Sequence, residues 1–193
     1  AQGLLRSDVK QFDKARDIAG KIEENELSKQ VVNFLIYRKS LDLIKNDSFT
    51  QSRKLSREND ELRQRAAVLV IGAQKLTNKK EFIEAEEWLL ESKKIFEKNR
   101  FDDEDWVNIG FAVASSYVQF DKFEAIRILR ECGKLIKEES VKFDRDKAPP
   151  SINFSGIEFS DFTSGTKNFS LTSAIKAFPK EHFEEIFSIL KDL

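Results

Sequence analysis

His182 is the only histidine of the chain, and by residue type it is the best candidate for acid–base or metal chemistry. Carboxylates flank it at Glu181, Glu184 and Glu185. On a helix, a histidine and the glutamates two and three residues after it supply at most two ligands to one ion, whereas zinc sites have at least three protein ligands. We therefore interpret His182 as a surface residue of a helix and predict no metal site.

Cys132 is the only cysteine, so an internal disulfide and a metal site built from several cysteines are both excluded. A thiol nucleophile needs a base within hydrogen-bond reach, and the one histidine lies far away in the sequence. Cys132 also occupies a small-residue position in an amphipathic helical pattern, IRILRECGKLI. We therefore interpret it as a core residue.

Two acidic clusters, Glu23-Glu24 and residues 102–105 (Asp-Asp-Glu-Asp), could serve as acid–base pairs or as cation ligands. Both lie at predicted helix boundaries, where carboxylates oppose the helix dipole and cap free backbone amides. The second cluster lacks the glycine and the alternation of a calcium loop. Capping is therefore our interpretation of both clusters.

Two further motifs carry little information about chemistry. Residues 164–166 (Ser-Gly-Thr) are a turn signal, because the chain has no phosphate-binding glycine pattern. Asn-x-Ser triplets at Asn46, Asn153 and Asn168 would matter only in a secreted eukaryotic protein, and we interpret them as chance occurrences. We predict no catalytic, cofactor-binding or metal-binding residue, so we expect the protein not to be an enzyme.

The charge balance argues against a nucleic-acid partner. The chain has 193 residues, of which 35% are charged, and its formal net charge is −1. A phosphate backbone is neutralised by an excess of Lys and Arg, and the chain has no such excess. No apolar run approaches the roughly 18 residues that span a bilayer, so we expect no membrane insertion.

The chain begins with Ala1-Gln2-Gly3, without an initiator Met. We therefore expect it to be processed or cut from something longer, and both a removed signal peptide and an excised domain stay open. A soluble chain that is either cytoplasmic or exported after processing fits the composition. Other parts of a longer parent chain are among its candidate partners.

A recurring pattern organises residues 12–140. A phenylalanine is followed within about one turn by a small residue and then by an apolar stripe, at Phe12/Ala15, Phe49/Ser52, Phe82/Ala85 and, less regularly, Phe123/Ala125. The intervals between these phenylalanines are 37, 33 and 41 residues, in the range of two-helix repeats. A large aromatic beside a small residue is what close packing of a second helix on a first requires.

Partner helices are predicted between these copies, at Leu27–Ile44, Leu62–Leu76 and Trp106–Phe120. Short polar connections join the helices, as antiparallel neighbours require. In total, we predict seven helices between Phe12 and Lys142 and one or two after Ser173.

The spacing of small and large residues resembles that of the tetratricopeptide repeat. The resemblance is carried by the unit Leu69-x2-Gly72-Ala73-x2-Leu76-x5-Phe82-x2-Ala85-x3-Leu89-x2-Ser92. The resemblance recurs, with about three extra residues at the turn, in Trp106-x2-Ile109-Gly110 followed by Ala125-x3-Leu129-x2-Cys132. It covers residues 12–140. It implies an all-α fold, a right-handed stack of antiparallel helical hairpins, whose concave face binds peptides or other proteins.

Composition changes after Lys142, so we divide the chain into helical-hairpin repeats (residues 1–142) and a C-terminal part (residues 143–193). Apolar residues recur through the Ser- and Thr-rich start of this part, at Ile152, Phe154, Ile157, Phe159, Phe162 and Phe169. Because a disordered linker is poor in aromatics, we predict an ordered, irregular excursion that packs on the repeats, with any strands confined to residues 150–171. A C-terminal helix after Pro179 carries one apolar face.

The function predicted from these features is a protein- or peptide-interaction scaffold of stacked helical repeats. The alternative is a structural segment of a larger secreted or surface assembly, in which the aromatic-rich excursion would serve subunit packing. The residues upstream of Ala1 would separate the two. A signal peptide there favours the assembly, and a continuing repeat array favours the scaffold.

We predict that Gly72, Ala73 and Ala85 lie at a contact between two helices. Ala85→Leu should overpack that contact and destabilise the fold by about 1–3 kcal/mol, measured by thermal unfolding. A variant that melts within about one degree of the parent would show that the predicted register of the two helices is wrong.

Overall fold

The computed structural model describes residues 9–100, 104–138, 152–154, 157–159 and 169–191. In these ranges the fold is all-α apart from two short strands. The helices are α1 (Val9–Ala19), α2 (Asn25–Lys45), α3 (Phe49–Ser56), α4 (Leu62–Asn78), α5 (Phe82–Lys98), α6 (Glu104–Tyr117), α7 (Lys122–Glu138), α8 (Leu171–Ala177) and α9 (Phe183–Leu190). A 3-10 turn, Lys180–His182, precedes α9, and β1 (Ile152–Phe154) pairs antiparallel with β2 (Ile157–Phe159).

The prediction of seven helices before Lys142 is confirmed within the described residues. α6 begins at Glu104, two residues before the predicted start, because Glu104 and Asp105 lie in its first turn and oppose its dipole. α1 begins at Val9, so Phe12 lies one turn inside that helix. The first helix therefore begins three residues before the lower bound of the predicted range.

Helices joined by a short turn pack against each other in pairs, α2 with α3, α4 with α5, and α6 with α7. The first helices of these pairs also contact one another in succession, from α2 to α4 to α6. α8 packs on α6, and α9 packs on α7. The two C-terminal helices thus continue the order in which the pairs are stacked.

α4 and α5 approach closely because Gly72 has no side chain. A Cβ built at Gly72 would lie 2.0 Å from Cζ3 of Trp88, whose side chain is fully buried. At a similar contact in the next pair, a Cβ at Gly110 of α6 would lie 2.4 Å from Sγ of Cys132. In both pairs a bulky or polarisable side chain of the second helix occupies the place that a glycine of the first helix leaves open.

Each pair is also joined by a hydrogen bond from a small polar side chain of the second helix to a backbone carbonyl of the first. The bonds run from Ser52 Oγ to the Ser40 oxygen (2.9 Å), from Ser92 Oγ to the Ala66 oxygen (3.0 Å) and from Cys132 Sγ to the Val107 oxygen (4.0 Å). The thiol is the weakest of the three donors. Ser92 and Cys132 are the last residues of the two units that resemble the tetratricopeptide repeat. The side chain at that position therefore donates a hydrogen bond from one helix to the other.

One apolar core connects the pairs with the C-terminal helices. Four C-terminal residues are buried in the same cluster as residues of α4 to α7, namely Phe169, Ala174, Phe178 and Ile186. Of the apolar residues on which the predicted excursion depends, only Phe169 has a described side chain, and it is buried. The side chains of Ile152, Phe154, Ile157, Phe159 and Phe162 lie outside the described residues. Among the helices that the structure describes, none is both long and apolar enough to cross a membrane.

Gly72→Ala tests the close approach of α4 and α5, and Ala73 and Ala85, which are predicted at the same contact, are buried. The added methyl would collide with a buried tryptophan ring, so we expect a loss of about 1–3 kcal/mol in the free energy of unfolding. Gly20→Ala is the matched control, because a Cβ there would lie 3.6 Å from its nearest neighbour. The control should change stability by less than about 0.5 kcal/mol in the same urea titration. Equal losses in both variants would contradict the close approach.

Candidate interaction surface

The thiol of Cys132 is held in the core between α6 and α7. Its side chain is fully buried, and burial raises the pKa of the thiol far above its ordinary value. Because the thiolate is the reactive form, a thiol in this environment is a poor nucleophile. The predicted core position of Cys132 is confirmed.

His182 lies in the 3-10 turn before α9, and its side chain is only 14% exposed, so the expected surface position is wrong. Its Nε2 lies 3.6 Å from a carboxylate oxygen of Glu181, and its Nδ1 lies 4.0 Å from one of Glu185. Each carboxylate also faces a cation of α7, since Glu185 pairs with Arg130 at 2.7 Å and Glu181 lies 3.9 Å from Lys122. His182 therefore lies within the joint between α7 and the C-terminal turn.

The described residues of both acidic clusters lie at helix starts, as predicted, but not every side chain caps its helix. Glu24 occupies the N-cap position of α2, and its side chain makes no capping hydrogen bond. Glu104 and Asp105 lie in the first turn of α6, whereas Asp102 and Asp103 lie outside the described residues. Among described residues, no three His, Cys, Asp or Glu side chains are grouped so that they could hold a metal ion.

The first helices of the two central pairs, α4 and α6, are mostly buried. No residue at positions 62–77 in α4 or 104–117 in α6 is exposed. Gln74 of α4 donates a hydrogen bond from Nε2 to Oγ of Ser116 in α6 at 3.1 Å, so these polar side chains bind each other. α4 and α6 therefore offer a partner only partly exposed side chains, such as those of Arg63 (29% exposed) and Lys75 (33% exposed).

A different surface is open, at the turns that lead into α5 and α7. Phe82 is 50% exposed, Ile83 is 83% exposed and Phe123 is 72% exposed. The rings of Phe82 and Phe120 lie edge to face with centroids 6.5 Å apart, which places the start of α5 beside the turn before α7. We call Phe82, Ile83, Phe120 and Phe123 the aromatic turn edge.

The phenylalanines at the start of the three second helices become more exposed along the chain. Phe49 is 7% exposed and lies edge-on to Trp88 of the following pair, with centroids 6.1 Å apart. Phe82, half exposed, contacts Phe120 of the following pair in the same way. Phe123 makes no ring contact with any aromatic residue that the structure describes. It therefore lacks the aromatic cover that the following pair gives to Phe49 and Phe82.

Charges of both signs border the aromatic turn edge. Lys80 and Glu81 are exposed, and neither forms an ion pair with a described residue. Nζ of Lys122 lies 5.5 Å from the centroid of the Phe123 ring and 3.9 Å from the carboxylate of Glu181. The surface is apolar at its centre and charged at its rim, as protein–protein interfaces are.

An ion cluster centred on Glu91 joins α3, α4 and α5. Its carboxylate accepts hydrogen bonds from Arg53, Arg57 and Arg65, with distances of 2.8 to 3.1 Å. Burial raises the pKa of Glu91, but the hydrogen bonds from the three guanidinium groups outweigh it and lower the pKa to about 2. The cluster fixes three helices relative to one another.

A second ion cluster joins α5 to α7. Nζ of Lys93 lies 2.8 Å from Glu124 and 3.3 Å from Glu97, and Arg127 pairs with both carboxylates. The hydrogen bond from Arg127, followed by that from Lys93, outweighs the burial of Glu124 and lowers its pKa to about 2. A cleft of about 140 Å³ lies beside Phe96 and Arg127. The cations of this cluster are already paired, so it serves packing better than ligand binding.

The sequence alone does not predict the aromatic turn edge. The recurring phenylalanines mark Phe82 and Phe123, but they do not show which ring is covered by the next pair. Comparison with known proteins adds no analogy, because no protein-family model, no curated protein and no solved structure matches this chain. The tetratricopeptide resemblance stays a prediction.

The pKa of Glu91 predicts how stability depends on pH. Because the fold lowers this pKa from 4.5 to about 2, the cluster stabilises the fold fully above about pH 5 and loses that effect as pH falls towards 2. Glu91→Gln should cost about 1–2 kcal/mol at pH 7, after allowance for solvent screening, and much less at pH 3. Urea unfolding at both pH values measures the difference.

Glu23→Gln is the control for this experiment, since Glu23 is exposed and forms no ion pair with a described residue. It should stay within about 0.5 kcal/mol of the parent at pH 7. If the deficit of Glu91→Gln is as large at pH 3 as at pH 7, the charge of Glu91 is not what stabilises the three helices.

Proposed function

We propose that this chain is a non-catalytic protein-interaction scaffold that binds its partner through the aromatic turn edge. The observation that carries the proposal is the exposure of Phe82, Ile83 and Phe123 on one border of a tightly packed helical stack. Large apolar side chains gain about 1.5–3 kcal/mol each when they pass from water into an interface. Aromatic side chains also provide much of the binding energy at protein interfaces.

The helices behind this surface support its use as a binding platform. α5 is fixed to α4 by the Gly72–Trp88 contact and to α3 by the Glu91 cluster. α7 is fixed to α5 by the Lys93–Glu124 pair. Binding side chains on rigid helices lose little conformational entropy when they bind, which favours affinity.

The position of the surface departs from what the tetratricopeptide resemblance implies. We propose that the pairs form a right-handed stack of that kind, a proposal supported by the successive contacts of α2, α4, α6 and α8. The first helices α4 and α6 are mostly buried and carry only partly exposed side chains along the ranges given above. We therefore place the binding surface at the turns that lead into α5 and α7.

Other classes of function receive less support. An acid–base or nucleophilic mechanism would need an accessible reactive group with a partner, and Cys132 is buried in the core. A nucleic-acid partner would need an excess of cations, whereas Lys80 and Lys122 are matched at the rim by Glu81 and Glu181.

Selection of random displayed peptides on the immobilised chain tests the proposal. Enriched peptides should bind the parent in solution and lose at least about tenfold in affinity for the double variant Phe82→Ser/Phe123→Ser. Phe187→Ser is the matched control, because Phe187 is 68% exposed but lies on α9. Peptides that bind all three proteins equally, or a selection that enriches none, would contradict the proposal.

A further inference from the structure

We infer, on the basis of the proposed function, that the partner of the aromatic turn edge is a second copy of this chain, docked about a two-fold axis. In such a contact both copies use the same surface. If one residue of the first copy contacts a second residue of the other copy, the same two residues also make contact with the roles of the copies exchanged. A surface suited to this must be complementary to itself in both shape and charge. Two observations at the edge favour a second copy as the partner.

The first observation is a pair of unused opposite charges. Lys80 and Glu81 are adjacent and exposed, and neither pairs with a described residue. In a two-fold contact, Lys80 of each copy can face Glu81 of the other, which gives two equivalent ion pairs beside the apolar centre. A partner of one charge sign would leave one of these two side chains without a counterpart.

The second observation is the missing cover of Phe123. Phe49 and Phe82 each lie edge to face against an aromatic ring of the following pair. α8 and α9, which follow the pair of Phe123, place no described ring against it. A second copy carries Phe82, Phe120 and Phe123 on the same surface, so it can give each Phe123 an aromatic neighbour of the kind that the earlier phenylalanines have.

The size of the surface sets the expected strength. Stable interfaces bury roughly 800 Å² on each partner, which is more than four apolar residues and a few charged ones provide. The net charge of −1 adds little repulsion between copies. We therefore expect a reversible dimer with a dissociation constant of about 10–100 µM.

Sedimentation of the full chain over about two orders of magnitude in concentration tests the inference. The parent should pass from monomer to dimer. Lys80→Glu and Glu81→Lys should each weaken the dimer about tenfold, because each reversal places like charges opposite each other twice. The combined variant K80E/E81K should restore the dimer to within about threefold of the parent, since it exchanges the two signs.

Phe123→Ser should also weaken the dimer at least about tenfold, while Phe187→Ser should leave it unchanged. Both side chains are exposed, and circular dichroism of each variant should match the parent. The inference would be overturned if the parent were monomeric at every concentration. It would also be overturned if neither charge reversal changed the dissociation constant of the dimer. If such a monomer still binds selected peptides through Phe82 and Phe123, the proposed function stands and only the second copy is excluded. If peptide binding fails as well, both fail.

Discussion

The close approach of α4 and α5 at Gly72 is the contact on which the rest of the packing depends. Trp88 fills the space that the glycine leaves, and its buried ring also receives the edge of Phe49 from the preceding pair. One tryptophan therefore sets the distance within a pair and the contact between two pairs. Any side chain at position 72 would have to displace a ring that touches both, so the cost would spread beyond one helix contact.

The hydrogen bonds between paired helices fix their register along the axis, which apolar packing alone does not. Ser52, Ser92 and Cys132 each direct a donor to a carbonyl of the partner helix. The carbonyl also accepts within its own helix, so the extra donor uses its second lone pair. The ion cluster at Glu91 adds a similar constraint on the outside, where three arginines from two helices meet one carboxylate. Together the hydrogen bonds and the ion cluster restrict sliding of the helices along one another.

The sequence predicted the helices well because an apolar stripe of period 3.6 is a local signal. The seven helices and the small residues at Gly72 and Ala85 follow from that signal. The burial of α4 and α6, the position of His182 and the Glu91 cluster depend on residues far apart in the chain. Arg53 and Arg57 lie one turn apart, which suggests a shared partner, but their carboxylate is 34 residues beyond Arg57. Such pairings arise only when the fold brings the helices together.

The exposure of Phe123 follows from how the helix pairs pack on one another. Phe49 and Phe82, at the starts of α3 and α5, each contact an aromatic ring of the following pair. A phenylalanine at this position therefore stays exposed where the following helices place no aromatic ring against it. In the isolated chain an exposed phenylalanine contributes little to stability, because its burial is the source of its stabilising free energy. A polar residue at that position would leave the core as it is and keep the surface more soluble. Phe123 thus keeps an exposed ring that no described aromatic side chain covers, which is the physical reason to look for its partner outside the chain.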